Sequence, residues 1–274
     1  MSVIVKHSYI LTAPATVDPN DPILLWDNRC RGATVTADSE DGNNLAENAI
    51  DGLTWDFWKP ASLPATLEVE FSHAETFDAA GIVFSSEGPQ GVTAKVEYWD
   101  GSQWQEAVDL STPNRVILAL FEEQTSTKVR LSLSGGTGIP RVADFTVGPA
   151  LRFERRLYQG HIPDVLATRT EFAVNRSRNG QRLGATVVRE GLENTIEIDN
   201  LSGDWVRANL VPAINSLRRT YPAYWAWRPA KYPNDLAFIW CDRDIRPPNT
   251  GPRDLMSVSI PYVGIGPETI DGPQ

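Results

Sequence analysis

The sequence predicts a mainly β protein: two β-sandwich modules in series, with a single α-helix in the second. Three observations predict it. Apolar and acidic residues alternate through Leu67-Glu68-Val69-Glu70-Phe71, which buries one face of a strand and wets the other. Asp100-Gly101 and Asn179-Gly180 each sit between runs rich in β-branched and aromatic residues, the wording of a hairpin turn. Short strand-like runs recur from Ala33 to Tyr262, and a helical period stands out in one stretch, 205–219.

Size and charge divide the chain. Its 274 residues allow one large or two medium domains, and 41% hydrophobic residues can fill their cores. Residues 1–150 carry 9 Lys+Arg against 21 Asp+Glu, a net of −12; residues 151–274 carry 16 against 14, a net of +2, and Lys231 is the one lysine there. Arginine forks suit fixed carboxylate pairs and protein interfaces. The acidic first half argues against nucleic acid as a partner. No apolar run approaches the roughly 20 residues of a membrane helix, so no membrane insertion is expected. The start, Met1 to Ser8, lacks the basic-then-apolar order of a secretion signal, so synthesis in a cytoplasm is expected. Cys30 and Cys241 have no metal-ligand spacing. Two buried thiols are expected, with an interdomain disulfide as the alternative.

In order, residues 1–25 read as an extended segment. Val3-Ile4-Val5 and Tyr9-Ile10-Leu11 are strand-like before Pro14, Pro19 and Pro22 break the pattern, and this segment is expected to pair with the C-terminal domain. Residues 26–148 form the first sandwich, with strands at Ala33–Ala37, Thr66–Phe71, Ala79–Ser85, Thr93–Trp99, Gln103–Val108, Val116–Ala119, Lys128–Ser134 and Val142–Val147. The acidic row of the second strand and the basic row Lys128, Arg130 are expected to pair across strands. Residues 149–169 connect, with an Arg cluster that reads as a solvated or interface face. Residues 170–266 form a β-rich assembly domain. Thr170–Ser177 and Leu183–Arg189 flank a two-residue Asn179-Gly180 turn, and Asn194–Asp199 follows. The helix 205–219 is N-capped by Asp204 and carries Pro212 inside its pattern. Strands Ala223–Arg228, Leu236–Cys241 and Leu255–Tyr262 close the domain, and residues 267–274 are a tail.

Asn48-Ala49-Ile50-Asp51-Gly52, Trp58 seven residues after the aspartate, Leu67–Phe71 and Lys95–Trp104 together resemble, in order and spacing, a discoidin module. Relatives of that module are the galactose-binding-like carbohydrate modules of bacterial enzymes. The resemblance covers about residues 24–148. It implies an eight-stranded jelly roll whose loops at one end bind sugars, lipid headgroups or proteins. It also implies a structural calcium, held by the carbonyls of Asn48 and Ala143 and the carboxylates of Asp51 and Asp144. Asp56 stands where the family often has threonine, and Leu53 stands at the loop's second acidic position. Calcium takes six to eight oxygens of these kinds. The plainer reading is that Asp51 caps its own turn and Asp144 is a solvated strand end. For a sugar, Trp55 and Phe57 are the stacking candidates, because Trp58 and Trp104 match positions that are core in the family.

The second half also resembles a family. Its strand pair, helix, Tyr221–Pro229, Phe238–Asp242 and Met256–Ile260 are similar, over about residues 165–264, to tail-tip proteins of long-tailed phages, the distal-tail and minor-tail type. That resemblance implies a ring-forming assembly domain in a virion. The chain is then a structural component of a phage tail tip or baseplate, partnered by other tail proteins and by copies of itself, and displays the discoidin-like module. Here the module precedes the core, whereas many distal-tail proteins place it after. The alternative is a carbohydrate-binding adhesin or host-receptor-binding protein whose discoidin-like loops take a host surface glycan. Catalysis is not expected. His7, His73 and His161 form no metal-binding pair, no nucleophile elbow or phosphate loop occurs, and the pairs Glu40/Asp41 and Glu122/Glu123 read as solvated loop charges.

Overall fold

A computed structural model describes residues 2–6, 18–85, 91–110, 114–157, 160–251 and 253–266. Tyr9-Ile10-Leu11 and the tail 267–274 lie outside the described residues. The protein is mainly β, with two antiparallel-dominated seven-stranded sheets and one helix. Strands are numbered along the chain.

The first sheet contains β1 (Val3–Val5), β3 (Thr34–Ala37), β4 (Ala65–Phe84), β5 (Val92–Trp99), β6 (Trp104–Leu110), β7 (Val116–Gly135) and β8 (Val142–Gly148). Two strands of 20 residues replace four expected ones. Thr66–Phe71 and Ala79–Ser85 fall on the two ends of β4, and Val116–Ala119 and Lys128–Ser134 on the two ends of β7. The β4–β7 register shifts between Glu70 and Glu75 and again between Phe77 and Ala79. At that corner Ser72, His73 and Ala74 are all exposed and the in–out alternation stops. Before the corner β4 pairs with β3; beyond it, β4 pairs with β8 and β7 with β1. One bent strand pair therefore serves both layers of the jelly roll, with Trp58, Leu67, Phe77, Phe121 and Phe145 in the core between them. The wet faces pair as their charges dictate. Lys128 Nζ lies 3.1 Å from Glu68 and 3.0 Å from Glu70, while Arg130 Nε reaches Glu97 at 2.7 Å. Glu122 and Glu123 belong to β7 itself and not to a loop.

The second sheet contains β2 (Ile23–Leu25), β9 (Leu151–Arg152), β10 (Thr168–Arg176), β11 (Arg182–Ser202), β12 (Ala223–Ala226), β13 (Leu236–Trp240) and β14 (Leu255–Ile265). Its order is β10-β11-β14-β13-β12-β2-β9, antiparallel throughout. The N-terminal segment is divided between the sheets. Ile23–Leu25 pair with β12 and β9, but Val3–Val5 run parallel to Leu118–Leu120 of the first sheet, where Val3 is buried. The hairpin at Asn179-Gly180 is a three-residue loop and not a two-residue one. Ser177 N–H donates to the Gln181 carbonyl at 2.8 Å, and Gly180 takes φ +80°, the left-handed residue that closes a type I turn into a bulge.

The helix α1 runs through Gly203–Trp205, a π turn Val206–Leu210 and Val211–Leu217. Ser202, not Asp204, is its N-cap, since the Ser202 hydroxyl accepts the Trp205 N–H at 3.3 Å and Asp204 lies within the first turn. Pro212 has no N–H to give and its ring crowds the preceding turn, which the wider π turn accommodates without breaking the helix.

The centre of the second sheet, β2, β12 and β13, is buried on both faces. Leu24, Ala223, Trp225, Ala237 and Ile239 pack under α1 with Val206, Leu210 and Leu217. Their strand neighbours Ile23, Leu25, Tyr224, Ala226, Leu236 and Phe238 point the other way, against Val3, Ala79, Val83, Leu118 and Ala143 of the first sheet. The layer opposite the helix is thus supplied by the jelly roll. Cys30 and Cys241 are free and buried.

Candidate functional site

The loops that the discoidin resemblance marks lie where the two sheets meet. At Gly52, φ +84°, an added Cβ would stand 3.0 Å from Cδ of Pro222. The Arg31 guanidinium sits 3.6 Å from the Tyr221 ring centroid, within cation–π range. Tyr224 OH donates to Asp144 Oδ2 at 2.6 Å, and Thr146 Oγ1 donates to the same oxygen at 2.8 Å. Gly81 makes room for that tyrosine, because a Cβ there would lie 2.3 Å from the Tyr224 ring.

Asp144 is therefore not a solvated strand end. It is fully buried, and burial pushes its carboxyl up to about 6 against the pull of the two hydroxyls and of Arg31. Asp51 does cap its turn, accepting the Leu53 N–H at 2.8 Å. Burial raises its pKa too, with the Leu53 N–H opposing. Asn48 spends its side-chain amide on the Phe57 carbonyl at 3.3 Å. Ala143 is buried in the seam between the sheets.

Among the buried oxygens without a hydrogen-bond partner are two from the residues of the calcium reading, Oδ1 of Asp56 and Oδ1 of Asp144, and a cation would satisfy such atoms. The remaining requirements are not met. Among the described residues no three His, Cys, Asp or Glu converge on a common point. Asp144 Oδ2 is committed to Tyr224 and Thr146, and Arg31 already places positive charge near Asp51 and Asp144. The residues present do not build a calcium cage, which needs six or more oxygens.

The stacking candidates are separated by burial. Trp55 is 78% exposed, whereas Phe57 packs against the seam between the sheets with Arg141 5.1 Å above its ring. Trp58 is core, its Nε1 donating to the Ser39 carbonyl at 3.1 Å. Trp104 is half-buried between Trp99 and the Arg130 guanidinium. Sequence reasoning missed Arg31, Tyr221, Pro222 and Tyr224. One signal was present: a tyrosine in a strand buried on both faces needs a partner for its hydroxyl.

A second surface stands apart from these loops. From Thr168 to Gly191, β10 and β11 pair with each other beyond the edge of the second sheet and are exposed at nearly every position. Phe172 pairs with Val187 and Val174 with Ala185, so these four share one face. Phe172 is 57% exposed, Val187 52%, and the neighbouring Leu183 68%. A two-stranded ribbon is marginal alone in water, and nothing among the described residues covers the apolar face of this one.

No family model matches the chain, and no curated protein matches it. Among solved structures it is similar to chitosan-binding module 1 derived from a chitosanase/glucanase of Paenibacillus sp. IK-5, at 22% identity over 44% of this chain and 98% of that one, TM-score 0.39. It is similar to the family 32 carbohydrate-binding module of C. perfringens NanJ in complex with galactose, at 17% identity over 47% and 99%, TM-score 0.40. A Ruminococcus gnavus fucosidase in complex with fucose matches at 18% identity over 46% of this chain and 27% of its own, TM-score 0.41. These neighbours cover the N-terminal half; the tail-tip resemblance of residues 165–264 finds no support among them.

Proposed function

We propose that this protein is an assembly component that associates with copies of itself through the β10–β11 ribbon and presents the jelly-roll module outward. The ribbon carries this reading. It is a long surface whose apolar face, Phe172, Val174, Val187 and the adjoining Leu183, has no cover among the described residues. Charge favours a second copy as the cover. Residues 168–192 carry five Arg and two Glu, whereas residues 1–150 carry a net of −12. A closed ring satisfies every ribbon of a head-to-tail interface, and an open chain does not. The phage tail tip as the setting of such a ring rests on the resemblance of residues 165–264 alone. Native mass measurement of the intact chain tests the reading: closed multimers support it, and a strict monomer at every concentration overturns it.

A second reading, carbohydrate recognition by the jelly-roll loops, is favoured by Trp55, whose indole stands 78% exposed on the loop after Asp51-Gly52. An exposed indole offers a flat apolar face to a sugar ring at little ordering cost. A glycan panel that binds the intact chain and loses binding on Trp55→Ala supports it; a silent panel removes it.

A further inference from the structure

Far from Trp55 in sequence, the segment 160–166 borders two adjoining hollows. The first is a polar cleft of ≈ 380 Å³ flanked by His161, Arg169, Glu193, Glu197 and Arg243. The second is an apolar hollow of ≈ 530 Å³ walled by Pro163, Val165, Leu166, Trp227 and Tyr232. The His161 ring joins them, packed 4.7 Å from the Trp227 ring, which in turn stacks on Tyr232 at 5.3 Å and 16°.

We propose that this cleft and hollow form one ligand site for a neutral saccharide, its hydroxyls toward the His161 side and an apolar sugar face on Trp227 and Tyr232. Unmet hydrogen-bonding capacity points to a ligand. Both ring nitrogens of His161, which lines the cleft, are buried without a partner. The neighbouring carboxylates are fixed. Asp164 Oδ1 accepts from Tyr262 OH and from Asn194 Nδ2 at 3.0 Å, while Asp235 accepts from Trp227 Nε1 and from Val165 N–H at 3.1 Å. Charge decides the class. Arg169 is paired with Glu193, and Arg243 lies 4.0 Å from both Glu193 and Asp242, so the guanidiniums are already matched. Three carboxylates face two guanidiniums, which disfavours an anion, and the interspersed arginines disfavour a cation. Burial lowers the His161 pKa, so the ring is neutral at pH 7 and offers one donor and one acceptor. A polyhydroxyl ligand uses donors and acceptors side by side, and its apolar face suits the stacked aromatic pair.

This site is independent of the Trp55 loop, and the test keeps the two apart. Calorimetric titration of the intact chain uses maltose and lactose as neutral probes and glucuronate as the charged control. NMR follows the His161 ring signals, which His161→Ala identifies among three histidines. The expected result is binding of at least one neutral disaccharide, a shift of the His161 signals on saturation, and affinity about tenfold weaker in His161→Ala and in the surface variant Glu197→Ala. Trp55→Ala leaves this binding unchanged. The proposal is overturned if neither disaccharide binds, if glucuronate binds in their place, or if Trp55→Ala alone abolishes binding; the last result would put the sugar on the jelly-roll loops.

Discussion

Asp144 and Tyr224 close the seam between the two sheets, and each is costly in a different way. The carboxyl of Asp144 is raised to about 6, so between its unfolded value near 4 and about 6 the folded state holds the extra proton. Stability therefore falls as pH rises through that window, and the penalty is fully present above it. Asp144→Asn, which keeps an acceptor for Tyr224, is predicted to be more stable than the natural chain by about 2 kcal/mol at pH 7, with the gap closing near pH 4. Denaturant melts at the two pH values check this; an equal gap at both would contradict it. Gly81 is the steric half of the same seam. Gly81→Ala drives a Cβ into a ring that has no free volume around it, and a loss of about 3 kcal/mol is expected in a chemical melt. The discoidin resemblance implied Asp144 as a calcium ligand and the residues alone read it as a solvated strand end, because a lone acid near a strand does not declare its partner. Tyr224 lies 80 residues away, and no local pattern links them.

Elements were legible where their signals were local. Alternation placed Leu67–Phe71, the Asp-Gly turn placed the β5–β6 hairpin, and the apolar period placed α1. What was not legible was continuity. β4 and β7 bend through polar residues without a Gly or Pro, so a pattern reading cuts each in two. The cap of α1 was misplaced by two residues because Ser202 and Asp204 are both good caps, and the backbone turn decides between them. Ser202→Ala is predicted to cost about 1 kcal/mol, and Asp204→Ala less than half of that, measured by thermal melts. The ribbon shows the reverse: its strands were foreseen, yet sequence alone does not tell that neither face is covered by the described residues. Replacing Phe172 and Val187 by serine is predicted to leave the melting temperature of the folded unit within a few degrees, since both are more than half exposed. A large fall in that temperature would mean that the ribbon is cored within its own chain.

At the scale of the molecule, the charge split suggested a boundary near Pro149, but it gave no sign that the two sheets share an interior. Buried residues from both sheets form the seam, and the strand runs Ile23–Leu25, Ala223–Ala226 and Leu236–Phe238 are apolar at successive positions because each face has a neighbour. The loops that the discoidin resemblance reserves for a ligand are partly spent on that seam, through Gly52, Phe57 and Asp144. Since Arg31 places positive charge there and Tyr224 and Thr146 hold Oδ2 of Asp144, a chelator is predicted to leave the melting temperature unchanged; a clear drop would show that an ion is held. Sedimentation velocity on the intact chain, across a hundredfold range of concentration, bears most directly on the claim that the ribbon is an assembly surface. The natural chain should shift to a discrete multimer that the serine pair at positions 172 and 187 fails to form. A monomer throughout, or a multimer indifferent to those two side chains, would contradict it.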